Sequence, residues 1–339
     1  MAEEKFSDLG RIEAIEKLFE GTGYTPWTGF WTENETKGNI THHSARLLLE
    51  GIDFDLTYFP LKHLGYKSVI SAVGELYASM AAPKTLAVTL GISAKLDFGH
   101  IRQLWEGVVT AAKQHRLKHI SLDLTPSPNG LCIAVSATGE TSCLTAKRRP
   151  AAKSMDLICI SDNLGAAYMG MQVLEREKRK FDKTKDDSIQ PDLKDYRHLI
   201  GSYLKPELNS DTVKQLEDAQ IIPSFGYFIT RGLSDTVKRL SRDSGLGAKI
   251  YVDKIPFPGN MFDLGKEMDI DPISAALNGG DDFRLLFTIP ISCHDKFRHD
   301  FQTFDIIGHL AKPEAGAVIV TPEGAELPLK AQGWKNNEY

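Results

Sequence analysis

The chain has little of what marks several protein classes. Only 4 of its 339 residues are cysteine, and Cys132, Cys143, Cys159 and Cys293 form no CxxC pair. That argues against a disulfide framework and against a zinc site of ordinary ligand spacing. No apolar run approaches the roughly 20 residues that a membrane-spanning helix needs. Charge of one sign is not in excess: 40 Lys+Arg stand against 45 Asp+Glu, a formal charge of −5. A protein that grips nucleic-acid phosphates in general would be basic, so no nucleic-acid partner is expected. There is no GxxxxGK[ST] loop and no GxGxxG following a strand, which leaves P-loop and Rossmann sites unsupported. No fixed-period repeat is visible. Met1–Asp8 is acidic and lacks an apolar stretch, so a cytoplasmic chain without a membrane partner is expected.

What remains is an ordinary globular composition, 42% hydrophobic and 25% charged. At roughly 100–200 residues per domain, this length suggests two domains. Apolar spacing predicts helices over Leu9–Phe19, Lys67–Ala82 (stopped by Pro83) and Gly99–Arg116. Between the first two, Gly21–His43 reads as loop with short strands, and Arg46–Phe59 as a strand, a tight turn and an extended segment. Leu86–Ile92 reads as a strand. His119–Leu124 and Leu131–Thr138 read as paired strands about the turn Pro126–Gly130. The basic, packing-poor stretch Lys147–Lys153 marks a boundary, giving domains of 1–146 and 147–339. Beyond it, strands fit Asp156–Ile160, Arg284–Ile289, Ile306–Leu310 and Val318–Thr321. Helices fit Asn163–Glu177, Pro206–Ala219, Gly232–Ser244 and Pro272–Leu277. The charged run Lys178–Asp187 reads as a solvated helix end and loop. The fold class is α/β plus α+β in two domains.

Several short segments join glycine to a carboxylate at an element end. They are Glu50-Gly51-Ile52-Asp53, Glu75 within a helix, Asp123 in a strand, Asp162–Gly165 at a strand-to-helix turn, and Gly279-Gly-Asp-Asp282 before a strand. Dispersed carboxylates of this kind could converge on Mg²⁺, a hard cation that takes oxygen ligands. The turn before the Asn163 helix could aim backbone amides at a phosphate.

In order along the chain, these segments resemble thiamine-monophosphate kinases, of the aminoimidazole ribonucleotide synthetase superfamily. Leu47–Lys84 resembles the family's "EG(V/I)HF" segment and the "SD" helix that follows it. Gly139-Glu140, Arg149–Asp156 and LICIS resemble the start of its second domain. NLGAAYMGMQVLE resembles its "GDLG" helix, ALNGGDDFRLLFTI its "GGEDYELLFT" strand, and IIGHL with Gly333-Trp334 its ending. The resemblance implies the superfamily's two-domain fold, with the N-terminal sheet pairing across a homodimer. It implies ATP and Mg²⁺ as cofactors and thiamine phosphate as substrate. Carried over position by position, it puts Glu75 and Asp123 on metal, and Asn163, Gly165 and Arg149 near nucleotide. Asp53, Asp281, Asp282 and Trp334 fall near the substrate. Selenophosphate synthetases and hydrogenase-maturation proteins of the same superfamily fit less well, because the cysteines they would need are missing.

The family's aspartates are depleted here. Its early "GDDAA" has no Asp pair to match it within Trp27–Asn39. An aspartate before "EG" falls at Arg46, and the substrate-side histidine falls at Asp53. "SD" falls at Gly74-Glu75, and "GGDT" at Ser121–Leu124. "D-I-S-D-G-L" falls at Phe228-Ile229-Thr230-Arg231-Gly232-Leu233. Losing metal ligands attacks phosphoryl transfer itself, which runs on positioning and charge stabilisation. Arg46 and Arg231 then have two readings. They block the site by pairing with Glu50, Glu75 or Asp123, or they pair with phosphate in place of metal. Two functions follow: a kinase of weak or lost activity, or a non-catalytic relative that binds a ligand or a partner.

Overall fold

The computed structural model describes residues 31–36, 38–184 and 193–334. The helix expected over Leu9–Phe19 lies outside the described residues. Two sheets and the helices between and around them make the fold. The first sheet contains β1 (Trp31–Thr36), β2 (Asn39–Leu49), β3 (Ala82–Ile92), β4 (His119–Pro126) and β5 (Cys132–Ser142), in the order β1-β2-β5-β3-β4. Helices α1 (Leu61–Ala78) and α2 (Phe98–Gln114) leave and re-enter this sheet, and the short α3 (Cys143–Lys147) follows it.

The second sheet contains β6 (Leu157–Ser161), β7 (Phe225–Ile229), β8 (Gly247–Tyr251), β9 (Arg284–Ile289), β10 (Phe304–Ala311), β11 (Ala317–Val320) and β12 (Glu326–Pro328). Its order is β12-β11-β8-β10-β6-β9-β7. Its connections carry α4 (Ala166–Thr184), α5 (Arg197–Leu204), α6 (Thr212–Asp218), α7 (Leu233–Ser244), α8 (Met261–Met268), α9 (Pro272–Asn278) and α10 (His294–Asp300). Among the described residues, no helix is long and apolar enough to cross a membrane.

The strands expected as a hairpin are not neighbours. β3 lies between β4 and β5, pairing parallel with β4 and antiparallel with β5. The helix α2 supplies the crossover that a parallel pair requires, and it leaves β4 as an edge strand exposed along its whole length. β5 goes to the middle because its alternate residues Ile133, Val135 and Ala137 are fully apolar and buried.

The helix expected over Lys67–Ala82 starts six residues earlier and ends at Ala78. The chain reverses at Met80, whose φ is +61°. Pro83 therefore does not stop a helix; it opens β3 at a register shift, a place where a missing N–H is tolerated. The helix expected from Pro206 is confined to Thr212–Asp218. Strands β7 and β8 and helix α5 were not read as elements from the sequence.

Helix α1 ties the two sheets together. Of its 18 residues, 14 are buried, the pattern of a helix covered on every side rather than an amphipathic surface helix. Ser44 of β2 donates to the carbonyl of Ala72 at 2.7 Å. On its other side α1 meets β7, where Phe228 lies against Gly74. One apolar cluster consequently contains residues of both sheets, and a second lies around β6, β8, β10 and α7.

Candidate functional site

The middle of α1 holds the charges of the candidate site. Lys67 is 1% exposed, and its Nζ donates to Asp281 Oδ2 at 2.8 Å. The same ammonium lies 3.9 Å from the Tyr203 ring centroid and 5.4 Å from those of Phe59 and Phe283. Aromatic faces and one carboxylate thus replace the water it has lost. Two turns further along α1, Glu75 accepts from Arg46 Nη2 at 2.7 Å, and the same nitrogen reaches Thr230 Oγ1 at 3.3 Å. Arg46 reaches α1 because His42, Ser44, Arg46 and Leu48 share one face of β2.

Beside this pair, Phe228 fills the space between the sheets. It is fully buried and stacks on Phe283 with centroids 5.4 Å apart. A Cβ added at Gly74 would lie 2.2 Å from the phenyl ring. Glycine at 74 and phenylalanine at 228 are therefore complementary, since the ring sits where any side chain on residue 74 would go. By the resemblance, Gly74 stands where the family has the serine of "SD", and Phe228 where it has an aspartate.

The donor set does not fit Mg²⁺. That ion wants several oxygen ligands at octahedral positions. Glu75 already faces a guanidinium, and among the described residues no group of three or more His, Cys, Asp or Glu could hold a metal ion. Asp123 does not join Glu75. The register aligns Arg46, Val135, Val88 and Leu122 in one row and Leu47, Ala134, Thr89 and Asp123 in the next. Asp123 thus lies on the sheet face opposite α1, and three strand spacings, about 14 Å, from β2. Its own Oδ1 accepts from the amide of Leu124.

Where Arg46 ends, a cavity of about 620 Å³ opens between the β2 turn, α4, α5 and the loop after α9. Its walls include Asp53, Tyr168, Tyr203, Arg231 and Asp281. A smaller lobe of about 200 Å³ continues toward Arg46 and Ser71, sharing Asp53, Thr230, Arg231 and Asp281. Asp53 Oδ2 accepts from the amide of Leu49 at 2.8 Å and so pins the turn on which it sits. Burial, assisted by the neighbouring Asp281 charge, raises the Asp53 pKa above the ordinary carboxylate value. Asp281 is presented from a left-handed backbone, φ +61°, with its amide donating to Thr230.

Other candidates stand apart from the cavity. Asp282 is 2% exposed, and its Oδ1 accepts from the amide of Gly165 at 2.9 Å. It caps the start of α4 and does not face a ligand. The turn amide expected to meet phosphate is thereby taken by protein, and Gly165 itself is buried with φ +80°. Asn163 is turned to Asp162 and His198, while its carbonyl accepts from the buried Arg284. Arg149 donates to the carbonyl of Ser79, just past the end of α1; twelve residues separate Ser79 from Lys67, about 18 Å along a helix. The Trp334 indole N–H donates to Asp235, and its ring faces Lys238 and Arg242 of α7. Its neighbour Gly333, not the indole, lines the cavity.

Lys67, Tyr168 and Tyr203 were missed from sequence. The available signal for the first was a lysine just before the apolar residues Val69, Ile70, Ala72 and Val73. The tyrosines carried none, since each comes from a different helix.

Asp282 gives a pH prediction. Burial pushes its pKa up to about 7. A carboxyl raised in the folded state contributes stability that is full below the unfolded value, near 4, and is lost as pH rises through about 7. Urea unfolding across that window should show wild type losing stability relative to Asp282→Asn. Equal pH slopes for the two proteins would contradict the assignment.

No protein-family model matches the chain. The thiamine-monophosphate kinase of Aquifex aeolicus is 25% identical over 339 residues, 98% of each chain. That of Buchnera aphidicola is 30% identical over 256 residues, 75% of this chain and 72% of the relative. Among solved structures, "AaThiL complexed with AMPPCP and TMP" matches with a TM-score of 0.80 and 21% identity, covering 99% of this chain and 100% of that one. The hydrogenase maturation protein HypE in complex with ATP matches with a TM-score of 0.63 and 16% identity, over 86% of this chain and 84% of that one. The two-sheet α/β architecture is the one these structures share.

Proposed function

Since this chain belongs to the thiamine-monophosphate kinase family, we propose that it is a member in which ATP- and Mg²⁺-dependent phosphoryl transfer is lost or greatly reduced. In this reading it acts as a binding protein for a phosphorylated thiamine-type ligand. The observation that carries the reading is the filled centre. Phe228 packs against Gly74, and Arg46 pairs with Glu75, where family members by resemblance keep aspartates for metal. Phosphoryl transfer needs cations bridging the nucleotide phosphates, and a phenyl ring with a spent carboxylate supplies none. A nucleotide would also find the α4 turn amide already held by Asp282, although related structures are described with AMPPCP and with ATP.

Incubation with ATP, Mg²⁺ and thiamine monophosphate tests this. No thiamine diphosphate should accumulate above the uncatalysed background, and turnover at ordinary kinase rates, about 1–100 s⁻¹, would refute the reading.

We also propose that the chain is a cytoplasmic homodimer divided near residues 146 and 147. The face of the first sheet that bears Asp123 also exposes Ala45, Leu47, Ala87 and Thr89 around a shallow depression of about 430 Å³. Leu47 is 57% exposed there. A broad apolar sheet face of this kind suits a second copy of the same chain. Sedimentation should show a dimer at micromolar concentration, and a monomer there would overturn this assignment.

A further inference from the structure

The cavity charges leave one cation uncommitted. Arg46 is held by Glu75 and Thr230, and Lys67 by Asp281 and three aromatic rings. Arg231 is exposed, lines both lobes, and makes no ion pair or hydrogen bond within the described residues. It stands at the turn between β7 and α7, two residues before the first turn of a helix that carries no side-chain cap. A guanidinium in a water-accessible recess of several hundred Å³ is a ready partner for a phosphate, which it can engage through two parallel N–H···O bonds.

The rest of the wall limits what else the ligand carries. Asp53 and Asp281 line the same two lobes; Asp281 is paired with Lys67, so Asp53 is the carboxylate that disfavours a polyanion such as a nucleoside triphosphate. Tyr168, Tyr203 and Met171 add aromatic and thioether surface to the larger lobe, which suits a flat, cationic ring.

We infer that Arg231 anchors the phosphate of an aromatic, positively charged phosphate monoester without any metal ion, with Asp53 facing its cationic end. This rests on the ligand-binding reading above and deepens it. A side-chain cation does at this site what a metal would otherwise do, so binding is separated from catalysis.

Calorimetry on the full chain tests this, with thiamine monophosphate as probe in buffer containing Mg²⁺ and in buffer containing EDTA. Thiamine and inorganic phosphate serve as separate arms. Affinity for thiamine monophosphate should be the same in both buffers. Arg231→Gln should weaken it by about tenfold or more in each, the usual loss for a charged hydrogen-bond partner. Arg231→Lys should recover part of that loss. Thiamine, which has no phosphate, should bind wild type and Arg231→Gln alike. Asp123→Asn, on the opposite sheet face, should bind thiamine monophosphate as wild type does.

Binding that requires Mg²⁺, an Arg231→Gln protein that binds as wild type, or no binding of thiamine monophosphate at all would each overturn the inference. Thiamine diphosphate production would instead refute the loss of catalysis, and it leaves the arginine's role to be judged by the buffer comparison.

Discussion

Phe228→Ala is expected to destabilise the protein by about 3–5 kcal/mol, the range for deleting a fully buried aromatic side chain. The ring is 0% exposed, packs flat on Phe283 and closes over Gly74 of α1. Its loss would open a void between the two sheets that the rigid helix cannot collapse to fill. The complementary change, Gly74→Ser, places a side chain against the same ring and should cost about 1–3 kcal/mol through overpacking. The double variant is the sharper measurement. If the ring occupies the space of a side chain at 74, Gly74→Ser combined with Phe228→Ala must be less damaging than the two costs added. Denaturant midpoints at constant m-value report this directly. Strict additivity would mean that the two residues do not share one space, and the account of the filled centre would fall with it.

The second large effect concerns the buried ammonium. Asp281→Ala leaves Lys67, 1% exposed, with no carboxylate partner, and should cost about 2–4 kcal/mol. That is somewhat below the full penalty for breaking a buried pair, because the Asp281 carboxylate is 38% exposed and the Tyr203 face remains. Lys67→Met keeps the stem and removes the charge, so only the half-solvated Asp281 loses a partner. Its cost should stay below about 1 kcal/mol. The asymmetry between the two variants is the prediction, and urea unfolding at neutral pH measures it. A larger loss for Lys67→Met than for Asp281→Ala would show that the carboxylate, not the ammonium, is the group that depends on the pair.

Much of this protein was written locally. The strand Arg284–Ile289, the helix over residues 233–244 and the mixed α/β class follow from short-range spacing. So does the order of the glycine–carboxylate segments, which carried the resemblance to the family. The sequence also showed by itself that Arg46, Phe228 and Arg231 stand where that resemblance implies aspartates, because substitution at an aligned position needs no coordinates.

Only the tertiary structure decided what those substitutions do. Arg46 and Glu75 are 29 residues apart, and Gly74 belongs to helix α1 while Phe228 belongs to strand β7. No local pattern records that one pair neutralises itself and the other fills a void. The structure also separated Asp281, which faces the cavity, from Asp282, which caps a buried helix, though they are adjacent in the chain. It moved Asp123 to the far face of the first sheet, since a strand's period of two sends neighbouring residues to opposite sides. Both arginines line the cavity lobes, but Arg46 is paired with Glu75, whereas Arg231 makes no ion pair among the described residues. The physical reason is common to all of these cases. Residue type and spacing are properties of the chain, whereas charge pairing and occupied volume are properties of distant segments brought together by folding.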